Sequence, residues 1–225
     1  MNRSTMRDTL ERQLQDDSNQ IFSVANLDQY LNQGLQFMQT AVLQSDPEAF
    51  QEISTAPTTA ADDGYDDLYA KPQGLMQIVK VELDLSGSGT YTQAFKRYNY
   101  QIDAFVNGSE TTSLQHWSTK GRWLRIYPTP TVVVAAGIRL TFVPTLTMGA
   151  DTDVPDLHIH LHKAIILAAR MDALADTDED VDPNTLDTLT KKLAIIIDRV
   201  PLYYSQSHGE PDVFDPDINA EDGWV

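Results

Sequence analysis

The sequence predicts an α+β protein: N- and C-terminal helices packing as a helical bundle, an inserted antiparallel β-sheet or small barrel, and an extended C-terminal tail. Three observations carry this reading. Apolar residues recur every three or four positions at both ends of the chain and every second position in its middle, and residues 205–225 show neither period. The implied division is a helical domain of residues 1–70 and 150–204, an inserted β domain of 71–149, and a docking tail of 205–225. A chain of 225 residues buries roughly 70% of its unfolded surface and needs no covalent staple.

Met6, Leu10 and Leu14 mark a first helix, with Ser4 or Thr5 available as its N-cap. Asp17, Ser18 and Asn19 break it. Ser23 then caps a longer helix whose stripe is Leu27, Tyr30, Leu31, Leu35, Met38 and Val42. Its opposite face, with Asp28, Asn32, Gln33, Gln36 and Gln39, is polar but almost uncharged, which suits contact with a neighbouring subunit. Asp46, Pro47 and Glu48 have the order of a cap followed by a first-turn proline and predict a short helix through Ile53. Residues 54–67, rich in Thr, Ala, Pro and Asp, predict a linker.

The period then becomes two. Val79, Val81, Leu83 and Leu85 alternate with Lys80, Glu82 and Asp84, predicting a half-buried strand that ends in the turn Ser86-Gly87-Ser88-Gly89. Residues 91–106 fit a strand or a helix. Residues 114–118 and 123–127 predict a hairpin, and Ile138, Leu140 and Phe142 a last strand closed by Pro144. Several short strands at close spacing favour an antiparallel sheet or small barrel. From Leu157 two apolar lines, one through Leu161, Ile165 and Ala168 and one through Ile159, Ile166, Ala169 and Ala173, predict an enclosed helix. A final helix opens near Pro183, turns Leu186, Leu189, Leu193, Ile196 and Ile197 inward, and stops by Pro201. The tail keeps Phe214, Ile218 and Trp224 among acids and prolines, a pattern suited to a segment that docks through a few buried anchors.

Composition narrows the chemistry. Sixteen Lys and Arg against 33 Asp and Glu give a formal charge of −17, which repels phosphate and anionic membrane surfaces. The absence of cysteine excludes disulfides, thiolate catalysis and cysteine zinc sites. No secretory signal or membrane span is expected. Phosphate-cradle, nucleophile-elbow and zinc-protease motifs are missing, so no catalytic residue, metal or cofactor is nominated. His158 and His162 have a chelating spacing on a helix, but ordinary surface or interface histidines fit as well. Asp176, Asp178, Asp180, Asp182, Asn184 and Asp187 imitate a calcium loop, yet Val181 stands where its sharp turn needs glycine. Trp117, Trp123 and Tyr127 suit a core or subunit interface; a carbohydrate-binding or hydrolytic groove is the alternative function.

Taken in order, the capped helix with Ser23, Leu27, Asp28, Tyr30, Leu31 and Asn32, the run Lys71-Pro72-Gln73-Gly74-Leu75 before Ile78-Val79-Lys80-Val81, Leu124 through Pro130, the strand at 138–144, and Asp153-Val154-Pro155-Asp156-Leu157 opening an Ala-rich helix form a pattern. This pattern resembles the head-to-tail adaptor, or connector, proteins of tailed bacteriophages, over roughly residues 4–203. The resemblance implies a structural, non-enzymatic protein of the virion neck, assembled in the host cytoplasm. It further implies a homo-oligomeric ring, usually of about twelve copies, between the portal protein and a tail, nozzle or stopper protein, passing DNA without gripping it. On that footing Phe214, Ile218 and Trp224 are the expected portal anchors, and Gln33, Gln36, Gln39, Trp123 and Tyr127 the expected subunit contacts.

Overall fold

The computed structural model describes residues 1–15, 21–55, 68–70, 74–97, 114–120, 123–128, 133–176 and 183–204. The chain is α+β and divides into two compact units, one of Met1–Ala49 with the chain from Leu146 onward, the other of Phe50–Thr145.

The first unit contains α1 (Arg3–Leu14), α2 (Val24–Ser45), a single 3-10 turn (Ile159–Leu161), α3 (His162–Ala175), α4 (Pro183–Asp198) and α5 (Val200–Tyr204). Asn2, not Ser4 or Thr5, caps α1, its carboxamide oxygen accepting from the Thr5 amide at 3.0 Å. Ser23 caps α2 as expected, accepting from Asn26 at 3.2 Å. The whole predicted stripe of α2 is buried, and so are the two lines of α3 apart from Ile159. Ile159 sits in the 3-10 turn, where three residues per turn carry it off the apolar line. Helix α3 packs against α1, α2 and α4, while α5 packs on α2. The tightest approach is at Gly34: a Cβ there would stand 2.5 Å from the Ile165 carbonyl oxygen.

The segment that returns from the sheet unit is stitched to α2. Gln39, fully buried, accepts from the Leu146 amide at 3.1 Å. Asn32 accepts from the Met148 amide at 2.7 Å and donates to the Met148 carbonyl at 3.4 Å. Asp28 pairs with Arg7 at 3.0 Å, and Arg3 and Arg7 both reach Asp151. The amides of Arg3 and Ser4 donate to the carbonyls of Asp153 and Asp151, so α1 is fastened by the same loop. His162, buried at the start of α3, faces the Met1 ammonium through Nδ1 at 2.8 Å and the Leu157 carbonyl through Nε2 at 3.1 Å. Burial holds its pKa below the ordinary imidazole value.

Among the described residues the second unit is a seven-stranded open mixed sheet ordered β1-β7-β3-β4-β5-β6-β2, with β1 (Glu52–Ser54), β2 (Leu68–Ala70), β3 (Leu75–Leu83), β4 (Thr92–Lys96), β5 (His116–Lys120), β6 (Trp123–Tyr127) and β7 (Ile138–Pro144). Its core comprises Ile78, Val81, Leu83, Ala94, Trp117, Leu124, Ile126, Ile138, Leu140 and Phe142. The expected hairpin is β5–β6, paired antiparallel from His116↔Tyr127 to Lys120↔Trp123.

Four expectations are corrected. The sheet is mixed, because β4 and β5 run parallel; the stretch between Lys96 and His116 exceeds the roughly dozen residues that a parallel crossover needs. The helix expected from Asp46 to Ile53 is absent: Asp46 ends α2 and its carboxylate accepts from Glu48, a local turn, while residues 52–54 pair with β7. Residues 52–54 and 68–70 therefore belong to the sheet rather than the helical part. On β3 a register shift between Ile78 and Lys80 puts Ile78 in the core and Val79 outside, where strict alternation would bury Val79.

At Glu82 the other face of β3 is covered as well. Glu82 is buried, and the directly opposite Arg139 donates two hydrogen bonds of 2.8 Å to its two oxygens. The guanidinium lies 4.5 Å over the Tyr91 ring, and Tyr91 donates to the Ala136 carbonyl. Asp84 accepts from the amides of Ser86, Ser88 and Gly89 and closes the turn.

Three outcomes follow from this packing. Gly34→Ala is expected to cost about 1–3 kcal/mol in urea unfolding, since α2 and α3 must part to admit a methyl group. Gln39→Leu, which strands the Leu146 amide, is expected to cost roughly 1–3 kcal/mol, whereas the exposed Gln33→Leu stays within about 0.5 kcal/mol of wild type. The Arg139 hydrogen bonds, offsetting burial, hold Glu82 at about 2 against an ordinary value of 4.5. The unfolded chain takes up that proton first, so stability present above pH 4.5 is lost as pH falls toward 2. Unfolding titrations should show a shallower acid loss in Glu82→Gln.

Candidate assembly interface

Among the described residues no group of three or more His, Cys, Asp or Glu side chains could hold a metal ion, and no helix is long and apolar enough to cross a membrane. The three histidines of 158–162 do not converge. Both ring nitrogens of His162 are engaged inside the unit, while His158 and His160 lie exposed against Tyr203 with ring centroids 4.7 and 5.4 Å from it. The His158 amide donates to the Tyr204 hydroxyl at 3.0 Å, so α5 is held to the entrance of α3 by both tyrosines. Burial and the neighbouring His160 keep His158 below the ordinary imidazole value.

Residues 178, 180 and 182 of the calcium-like run lie outside the described residues. Of the others, Asp176 accepts from the Tyr30 hydroxyl at 2.8 Å, and Asp187 pairs with Lys191 one turn along α4. Burial, reinforced by Asp176, pushes the Tyr30 phenol up to about 12. These carboxylates serve intramolecular contacts.

The three aromatics do not line one face of the hairpin. Trp117 is 3% exposed, in register with Ile126 in the sheet core, and Tyr127 is the next residue along β6, on the opposite face. Trp123 pairs in register with Lys120, and Tyr127, half-buried, with His116. A shared carbohydrate platform of Trp117 and Tyr127 is excluded by strand alternation, which was legible in the sequence once the hairpin register was known.

The polar face of α2 separates into two lines. Asp28, Asn32 and Gln39 form the internal seam, so Gln39 leaves the set of expected subunit contacts: its side chain is spent within the protomer. Gln33 is exposed and Gln36 half-exposed. Beside them Phe37 is 47% exposed, a residue missed by the sequence reading although it breaks the apolar stripe and sits among glutamines. The outward face of α2 thus carries amides and one aromatic ring and no charge. Such a face can be buried against protein without stranding an ion. The expected anchors Phe214, Ile218 and Trp224 lie outside the described residues.

Comparison with known proteins agrees with the order of motifs. The model of the SU10 adaptor protein family matches residues 1–202, a span that takes in both compact units. A search of curated proteins finds no match. The chain belongs to the SU10 adaptor protein family, in keeping with the phage head-to-tail adaptor pattern of its sequence.

Proposed function

We propose that copies of this chain form a closed ring, of about twelve, that joins the portal to the tail or nozzle in the neck of a tailed phage and lines part of the DNA channel. The carrying observation is the adaptor-family match over residues 1–202. The charge supports it: at −17 per chain, a ring of about twelve carries roughly −200, and an acidic lumen repels the phosphates of exiting DNA. The protein acts by geometry and charge rather than by turnover. It would assemble in the host cytoplasm and remain in the virion neck, meeting the portal on one side and a tail, nozzle or stopper protein on the other.

A ring contact is heterologous, so each protomer must offer two different faces to its neighbours. Gln33 and Gln36 on α2, and Trp123 and Tyr127 on β6, are the residues assigned to such contacts. The tail from Ser205, with Phe214, Ile218 and Trp224, is assigned to the portal. Its few large apolar side chains among acids suit a segment that orders on binding.

Mass in solution, with and without purified portal, tests the ring: a high-order assembly is expected in at least one condition, and a monomer in both overturns it. Deleting residues 205–225 is expected to weaken portal binding at least tenfold while the remaining chain still unfolds cooperatively on heating. Undiminished binding removes the tail from the portal contact.

A further inference from the structure

We infer that the uncharged outward face of α2, centred on Phe37, is the surface on which a second copy of this chain docks; the inference rests on the ring reading and names its contact. Residues 29–45 contain no charged side chain, in a protein of which 22% is Asp, Glu, Lys or Arg. At about 100° per residue, Gln29, Gln33, Gln36, Phe37, Thr40 and Gln44 fall on one strip of the helix. Five of the six are exposed and Gln36 is half-exposed. The next charges along the chain are Asp28, paired with Arg7, and Asp46, which forms the C-cap.

Electrostatics favours one occupant. A foreign partner can meet a chain of −17 with bases; a copy brings the same net charge and is met at least cost where charge is absent. A nucleic acid would need Lys or Arg on this strip, and a membrane surface would need basic residues and several large apolar ones; the strip has neither. Amides bury at low cost when they find partners across an interface, and a central aromatic ring ringed by such contacts is the usual anchor. From Gln29 to Gln44 the strip runs about 23 Å, a narrow contact that gains from ring closure, where every copy is held twice.

The chain contains no cysteine, so single cysteines report cleanly. The test uses the full chain at rising concentration, with mass measured by light scattering and thiol accessibility by maleimide labelling of Gln33→Cys. Self-association of wild type, weakened at least tenfold in Phe37→Glu and kept in Phe37→Leu, with Cys labelling slowed at least tenfold in the assembly, is the expected result. Val133→Glu, exposed in the sheet unit, is the control for added charge and should associate as wild type does. Association of Phe37→Glu equal to wild type, or full-rate labelling in the assembly, overturns the inference and leaves the ring reading standing with its contact elsewhere. Labelling slowed only when portal is added, with no copy–copy association, also overturns it by assigning the face to a different partner. A chain that is monomeric to about millimolar concentration and also in the presence of portal overturns both.

Discussion

The helical unit depends on one line of polar side chains along α2. Asp28, Asn32 and Gln39 stand four and seven residues apart, close to one line of the helix; Asn32 and Gln39 receive the chain where it comes back from the sheet, and Asp28 holds the arginines of α1 beside it. An inserted module imposes this requirement. The chain leaves at Ala49 and returns at Leu146, and closing so long a loop carries an entropic cost that local contacts at the return point must offset. Backbone groups of the returning segment would otherwise be buried without partners. Asn32 and Gln39 satisfy them with uncharged amides, while Arg3, Arg7 and Asp151 bring α1 to the same place.

The sheet unit solves a different problem with a similar device. Strand β3 is half-buried over most of its length, as alternation of Val, Lys, Val, Glu suggests, but at its end the face of Glu82 is covered also. Its carboxylate is matched oxygen for nitrogen by Arg139, in a geometry that only a planar guanidinium offers, and the ring of Tyr91 covers the cation. The pair supports register, since Glu82 and Arg139 are directly opposite, while the shift between Ile78 and Lys80 changes which side chains face the core.

What could be read in advance follows from how local the signal is. The cap of α2 is a single local residue, and the stripes of α2 and α3 are periodic over three to six turns, their buried residues agreeing with the pattern almost one by one. The β5–β6 hairpin declares itself through two short apolar runs across a glycine turn. Residues 52–54 carried no such signal, because a three-residue strand exists only through its pairing with β7, and Asp-Pro-Glu looks like a helix start wherever it falls. The polar face of α2 was visible as unusual, yet its division was not. Gln33 and Gln39 are the same residue type on one helix, and only the path of the returning chain decides that Gln39 is internal and Gln33 faces outward. Phe37 carried its own signal, an apolar residue off the stripe, which the neighbouring amides masked.

The departure point of residues 205–225 bears on the proposed reach toward the portal. Tyr203 stacks on His158 and His160, and the Tyr204 hydroxyl accepts from the His158 backbone, so α5 ends at a place tied to the entrance of α3, itself enclosed by α1, α2 and α4. A segment of 21 residues spans at most about 70 Å when fully extended. Any surface it docks on in the proposed assembly must lie within that radius of Tyr204. A flexible attachment would spread the proposed anchors Phe214 and Trp224 through a larger volume and lower their effective concentration at the partner. Pinning the last helical turn with two aromatic contacts confines the search, so a partner capturing those anchors meets them at higher local concentration. In the proposed ring the same pinning would present the tails as an ordered set, so that a weak individual contact would become a strong collective one.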